Sequence, residues 1–192
     1  MDNLRSEISN LFSDAEKRIK IVEHVVGELT VPAINQLRYV AYHILKADNT
    51  EDSNLKKEEL RKAKNHCQRA IYDAAEVGII YFLEKIKEFK NDYSTQPISG
   101  ALPNYSDIYN TAREAATFIA SANKDNINDH ENNRGDNYKQ SIELFKKLQV
   151  ACDALDNARP ELNKKMERWR VGFALGLGAL LLAALGIIIN CR

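Results

Sequence analysis

Apolar residues recur at spacings of three and four along most of the chain, and this pattern predicts a protein built from α-helices. The first stripe covers residues 4–29 and predicts one long helix. Gly27, Thr30 as a helix N-cap and Pro32 in a first helical turn mark a break, after which a second helix ends near Ala47. The start of the chain is therefore expected to be two helices joined by a short turn.

The middle of the chain predicts two further helices separated by a loop. A polar turn at 48–54 precedes a third helix over 55–89, whose apolar positions keep helical spacing without an intervening proline. Gly78 is the weak point of that helix and is expected to bend it. Turn-forming residues make 94–106 a loop, and a shorter helix follows over 107–122.

The last predicted helix follows a polar loop. Residues 123–137 are too polar to bury apolar surface, so they are expected to form a mobile loop. A heptad-like apolar stripe then begins near Asn137, and Pro160 is expected to kink or briefly break this helix. If the kink is mild, this helix and the apolar segment that follows it form one continuous helix, which would mechanically link the two parts.

Residues 171–189 predict a transmembrane helix. These 19 residues carry no charge and no strongly polar side chain. A helix of that length spans about 28 Å, which matches the hydrocarbon thickness of a bilayer. A buried core helix is the alternative, but a small soluble domain has difficulty enclosing a helix that is apolar on all sides. The expected fold class is therefore all-α, an elongated helical bundle with a single C-terminal transmembrane helix.

Basic residues set the expected orientation in the membrane. The four that precede the apolar segment are Lys164, Lys165, Arg168 and Arg170. Only Arg192 follows it, so the positive-inside rule keeps the N-terminus and residues 1–170, one helical domain, in the cytoplasm. Residues 190–192 are then a short tail on the far side. Trp169 lies among the basic residues, where an indole ring prefers the lipid headgroup layer, so this group is the expected membrane interface.

One face of the predicted transmembrane helix carries small residues from end to end. They are Gly172, Gly176, Ala179, Ala183 and Gly186, at intervals of four, three, four and three. Such a face lets helices pack closely, so we expect a homo-oligomer whose subunits meet there. The alternative is that small residues are simply common in membrane helices.

Composition narrows the range of partners. The chain has 27 basic and 27 acidic side chains, so it has no overall field to attract DNA or RNA. Its three cysteines follow no zinc-binding pattern and, without an N-terminal secretory signal, indicate a reducing cytoplasm. No phosphate-binding glycine loop or other common enzyme motif occurs, and neither a metal nor a cofactor is expected.

Two arginine–histidine pairs are the candidate chemistry. Arg38 precedes His43 in RYVAYH, and Arg61 precedes His66 in RKAKNH, each with four residues between. This motif, within residues 34–75, resembles that of HEPN-type helical proteins, many of which cleave RNA as dimers. The resemblance implies a HEPN-like fold in which an imidazole acts as general acid or base beside a guanidinium, without a metal.

The alternative interpretation of these residues is structural. On a helix, positions five apart do not share a face, so Arg38 and His43 would meet only on a distorted turn or across two subunits. Polar pairs between packed helices explain the same residue types without catalysis. The candidates for such pairs are Arg38, Glu59, His66, Arg69 and Asp73.

A HEPN-like domain with a membrane helix resembles the small membrane accessory proteins of type VI-B CRISPR systems. That resemblance implies a bacterial inner-membrane protein with an antiviral role and, as partners, an RNA-guided nuclease system or its RNA products. We therefore expect a non-enzymatic, oligomeric membrane effector that forms a pore or depolarises the membrane. Two alternatives stay open: a membrane-tethered, metal-independent HEPN-type RNase, and a tail-anchored adaptor that binds a protein partner.

Overall fold

The computed structural model describes residues 2–122 and 137–190, except for the side chains of 181 and 183–190, and over these ranges the chain contains five α-helices and no strand. The helices are α1 (Asp2–Val26), α2 (Val31–Asp48), α3 (Ser53–Asp92), α4 (Tyr105–Ala122) and α5 (Tyr138–Asn190), with a 3-10 turn (Ile98–Gly100) between α3 and α4. The all-α prediction is confirmed for this part of the chain.

Helix α3 is the central helix of the bundle and contacts each of the other four helices. Its 40 residues extend about 60 Å, and α1 and α2 pack along its N-terminal half. His43 of α2 meets Glu59 of α3, and Gln36 meets His66, so α2 runs antiparallel to α3.

Helix α5 runs parallel to α3 along its C-terminal half. The Cys152 thiol lies 3.7 Å from the carbonyl oxygen of Phe82, and the Tyr93 hydroxyl donates a 2.7 Å hydrogen bond to Oδ1 of Asn163. Helix α4 packs against both α3 and α5. The ends of α3 are therefore covered by different helices, while α1 and α5 both pack on its middle, where Val22 and Phe145 lie on either side of Gly78.

Gly78 marks a close approach of α3 and α5. A Cβ added at this glycine would lie 2.3 Å from Cε2 and 2.6 Å from Cδ2 of Phe145. Helix α3 continues through this position without interruption. The missing side chain of Gly78 therefore leaves room for an aromatic ring from α5. The sequence predicted only a bend at this glycine and not this packing role.

The turn between α1 and α2 is held by Glu23. Gly27 ends α1 with a φ of +80°, a left-handed conformation that glycine adopts without strain. Thr30 precedes α2 as predicted, but its side chain makes no capping hydrogen bond. The backbone N–H and the hydroxyl of Thr30 instead donate to Oε1 of Glu23, at 3.0 and 3.2 Å.

Pro160 lies inside α5 without breaking it. The residue is exposed, and the helix is continuous from Tyr138 to Asn190, so of the kink or short break that was expected, the break does not occur. On either side of the proline, Ala158 and Leu162 are buried in the main core. The inner face of α5 is covered by α3 and α4 along this stretch, through Leu144, Phe145, Leu148, Leu155 and Leu162.

Beyond Met166, α5 projects past the end of α3. Met166 still packs on the main core, but residues 167–177 are all exposed. Phe173 is 60% exposed, and Leu175 and Leu180 are each 70% exposed. An apolar stretch of helix thus leaves the bundle without a covering surface from the described part of the chain.

Within the described residues, no helix is both long enough and apolar enough to cross a membrane. The span predicted over 171–189 includes side chains that lie outside the described set, among them Ala183 and Gly186. The mobile loop predicted over 123–137 likewise falls on residues outside the described ranges, apart from its last residue.

Candidate functional site

Four aromatic and imidazole rings line up where α2 packs on α3. In spatial order they are Tyr39, His66, His43 and Tyr42, which we call the aromatic row. The two imidazoles are nearly parallel, with ring centroids 5.1 Å apart and an interplanar angle of 13°. Tyr39 stacks on His66 at 5.2 Å, and Tyr42 meets His43 edge-on at 5.2 Å.

A cation lies at each end of the aromatic row. The guanidinium carbon of Arg38 is 5.3 Å from the centroid of the Tyr39 ring, and Nζ of Lys46 is 5.6 Å from that of Tyr42. Both distances are within the range of a cation–π contact. Because the tyrosines are 44% and 53% exposed, the ends of the row face solvent while the imidazoles between them are partly buried.

Each imidazole is oriented through its Nδ1 atom. Nδ1 of His43 lies 2.6 Å from Oε2 of Glu59, and Nδ1 of His66 lies 2.7 Å from Oε1 of Gln36. Both partners accept hydrogen bonds, so in each neutral imidazole the proton is assigned to Nδ1 and the basic nitrogen is Nε2. This is the tautomer that a histidine needs if Nε2 is to take a proton from a bound molecule.

Glu59 is the electrostatic centre of the cluster. The residue is 8% exposed, and its carboxylate contacts His43, Lys62 at 3.0 Å and Lys46 at 3.7 Å. Hydrogen bonds from His43 and Lys62 lower the pKa of Glu59 from 4.5 to about 2, against the opposing effect of burial. The carboxylate is therefore ionised at neutral pH and holds the His43 ring in place.

The structure brings together the histidines of the two predicted motifs. Helix α2 is helical from Val31 to Asp48, so Arg38 and His43, five positions apart, lie on different faces. Arg38 reaches the row only through Tyr39, and Arg61 is exposed on α3. The arrangement can offer two adjacent imidazoles for proton transfer, with a guanidinium separated from them by a tyrosine ring.

The predicted polar pairs are found in part. Glu59 and His66 both bond to side chains of α2, while Arg69 and Asp73 are buried at 8% and 3% exposure. Arg38 is exposed rather than enclosed between helices, so that part of the interpretation is wrong.

The stacking of His43 on His66 was not predicted. Tyr39, Tyr42, His43 and Lys46 are spaced by three, one and three, which does indicate one shared face of α2.

The C-terminal part of α5 is a second candidate site. Lys164, Arg168, Trp169 and Arg170 are exposed, and Trp169 is stacked on Phe173 with centroids 5.6 Å apart. Lys165 is partly buried and pairs with Glu161 at 2.7 Å. On the small-residue face, a Cβ added at Gly172 or Gly176 would meet nothing within 4 Å, and Ala179 is exposed. Ala183 and Gly186 lie outside the described side chains.

Comparison of the chain with known protein families, with curated proteins and with solved structures gives no match.

Proposed function

We propose that the protein is an oligomeric membrane effector without enzymatic activity, in which α5 crosses the bilayer once and assembly of the chains permeabilises or depolarises the membrane. On this proposal, 1–170 lie in the cytoplasm of a bacterial cell and 190–192 lie on the far side of its inner membrane. The observation that carries the proposal is the course of α5, which packs on the bundle core up to Met166 and from Val171 continues as an uncovered apolar helix.

Uncovered apolar side chains favour a lipid environment for this part of α5. Full burial of a leucine or phenylalanine side chain is favourable by about 1.5–3 kcal/mol, and this free energy is not gained while the side chain stays in water. Val171, Phe173, Leu175, Leu177, Leu180 and Leu182 are each more than half exposed in the isolated chain. A bilayer covers all of them at once, whatever direction they face around the helix axis.

Assembly is supported by the open small-residue face. Gly172 and Gly176 leave space on the described part of that face, so a second α5 can approach closely along it. The antiviral role, with an RNA-guided nuclease system or its RNA products as partner, rests on the resemblance of the arginine–histidine motifs and the membrane segment to the type VI-B accessory proteins.

Particle mass in detergent and membrane potential in cells test the proposal together. We expect the full-length protein to purify as a particle of several subunits and to depolarise expressing cells. Gly176→Leu with Ala183→Leu should abolish both effects while preserving insertion, since leucine is favourable in lipid but holds helices apart. Ala174→Leu with Gly178→Leu is the matched control on the opposite face of the helix and should retain both.

Two outcomes would contradict the proposal. A monomeric particle would remove the assembly on which permeabilisation depends. Equal depolarisation by the two double variants, at equal membrane abundance, would show that the small-residue face does not bring the anchors together.

A second candidate function, a metal-independent RNase, is favoured by the paired imidazoles of the aromatic row. His43 is held by Glu59 and His66 by Gln36, each through Nδ1, and the two rings are stacked 5.1 Å apart. RNA cleavage that persists in a metal chelator and disappears with either His43→Ala or His66→Ala would make this the better assignment. Capture of one protein partner without leakage or cleavage would instead indicate an adaptor.

A further inference from the structure

The connection between α3 and α4 lies beside the point where α5 leaves the bundle. Arg159 of α5 pairs with Asp92 at 3.0 Å, and Tyr93 bonds to Asn163 at 2.7 Å, so the end of α3 is fixed against α5. An added Cβ at Gly100 would lie 3.9 Å from Nζ of Lys165. The 3-10 turn is thus level with the basic residues that precede the apolar stretch.

The distance from this connection to the apolar stretch matches a headgroup layer. Val171 follows Lys165 by six positions, which corresponds to about 9 Å along a helix axis. The polar layer on each side of a bilayer is about 5–8 Å thick. If the hydrocarbon begins at Val171, residues near Lys165 lie at the outer edge of the headgroups.

The surface that faces in this direction carries no charge of its own. Residues 94–104 contain no acidic and no basic side chain, and most of them are exposed. Ile98 and Ala101 pack on the main core and Leu102 is buried, so the connection is attached to the bundle. The turn at the other end of α3, residues 48–52, contains three acidic residues.

The neighbouring charges of α5 favour an anionic surface. Residues 161–170 contain four basic and two acidic side chains, which leaves a net charge of +2. Of the acidic groups, Glu161 is paired with Lys165, and Asp92 nearby is paired with Arg159. Glu167 of α5 and Asp107 in the first turn of α4 remain as exposed carboxylates at this end.

From this placement we infer that residues 94–104 form a lipid-docking surface, which rests on anionic phospholipid headgroups beside the basic residues of α5. The inference rests on the proposed membrane insertion of α5 and adds a second contact between the domain and the bilayer. The uncharged connection approaches the headgroups without electrostatic repulsion, and the basic side chains attract them. The domain then lies against the membrane instead of being held only by its anchor.

Site-specific labelling with an environment-sensitive thiol fluorophore tests the docking surface. The full-length protein is reconstituted in vesicles of phosphatidylcholine and phosphatidylglycerol, with Cys191 replaced by serine. The label is placed by Ser99→Cys in the connection, by Ser53→Cys at the far end of α3, and by Phe173→Cys in the apolar stretch. The native Cys67 and Cys152 can stay, because burial raises the pKa of both thiols to about 12 and makes them unreactive.

Iodide quenching distinguishes the outcomes. A surface potential of about −30 mV lowers the local concentration of a monovalent anion about threefold, so the quenching constant at position 99 should be about threefold lower than at position 53. Equal quenching at positions 99 and 53, with position 173 protected, would overturn the docking surface and leave the anchor intact. Full quenching at position 173 would overturn the proposed function itself.

Discussion

Gly78 sets the distance between α3 and α5, because its missing Cβ leaves room for the Phe145 ring. Gly78→Ala is expected to lower the free energy of unfolding by about 1–3 kcal/mol, since overpacking outweighs a gain in helix propensity of at most about 1 kcal/mol. Urea denaturation followed by circular dichroism measures the change. The same substitution should cost less in a Phe145→Leu background, and an equal cost in both backgrounds would contradict the packing role.

Glu59 is expected to make the stability of the α2–α3 pair depend on pH. Its pKa in the folded chain, about 2, lies below the ordinary value of 4.5 because His43 and Lys62 donate hydrogen bonds to the carboxylate. A group whose pKa falls on folding stabilises the protein fully above its unfolded pKa, and this contribution is lost as the pH falls from 4.5 toward 2. Glu59→Gln should therefore be less stable than the native chain at pH 6, with the difference shrinking below pH 4.5.

Thermal denaturation at a series of pH values measures this difference. Glu58→Gln is the matched control, because Glu58 also pairs with Lys62 at 3.0 Å but is exposed and does not contact His43 in any described bond. Its effect should be small at every pH, as for other surface pairs. A stability difference for Glu59→Gln that does not change between pH 6 and pH 3 would refute the electrostatic role.

The aromatic row shows which contacts between single residues cannot be predicted from sequence patterns. Helical spacing is enough to place Tyr39, Tyr42 and His43 on one side of α2. Whether His43 then meets His66 depends on how far α2 is shifted along α3, which is decided by packing of apolar residues on both helices. Nothing within RYVAYH or RKAKNH encodes that shift, so the two motifs were predicted as separate pairs.

The helices themselves were largely predictable from apolar periodicity. The third helix was expected over 55–89 and occupies Ser53–Asp92, and the helix expected over 107–122 occupies Tyr105–Ala122. Local propensity predicts a kink or a short break at Pro160, and the break is absent. Burial of Ala158 and Leu162 on either side of it keeps α5 helical, and such packing is not visible in the proline and its neighbours alone.

Pro160 is accordingly expected to reduce the stability of α5. Pro160→Ala should raise the free energy of unfolding by about 1–3 kcal/mol, since alanine restores a helical N–H donor and removes the clash with the preceding turn. Chemical denaturation of the detergent-solubilised protein measures the gain. Glu161→Ala, which removes only the surface pair with Lys165, serves as the control and should change stability by less than about 1 kcal/mol. A loss of stability in Pro160→Ala would contradict the prediction and mean that Pro160 stabilises α5.

For the whole molecule, the burial of two cysteines determines how membrane topology can be measured. Cys67 is fully buried and Cys152 is 8% exposed, so an impermeant thiol reagent spares both on either side of a membrane. Ser53→Cys, on an exposed position of the domain, is the informative probe. With the domain in the cytoplasm, intact cells should label Cys191 and spare the introduced cysteine, which becomes reactive only after permeabilisation. Labelling of position 53 in intact cells would reverse the proposed orientation.

The order in which the helices can pack during synthesis follows from the sequence separation of their contacting residues. Contacts of α2 with α3 join residues 16 and 30 positions apart, whereas those of Phe82 with Cys152 and of Tyr93 with Asn163 each span 70 positions. At about 5–20 residues per second, a ribosome needs roughly 4–14 s to make those 70 residues. The N-terminal half of α3 can therefore be packed while Ile79, Phe82, Ile86 and Phe89 still await α4 and α5. In that interval these four side chains are the natural target of chaperones, and they are where newly made chains are most prone to aggregate.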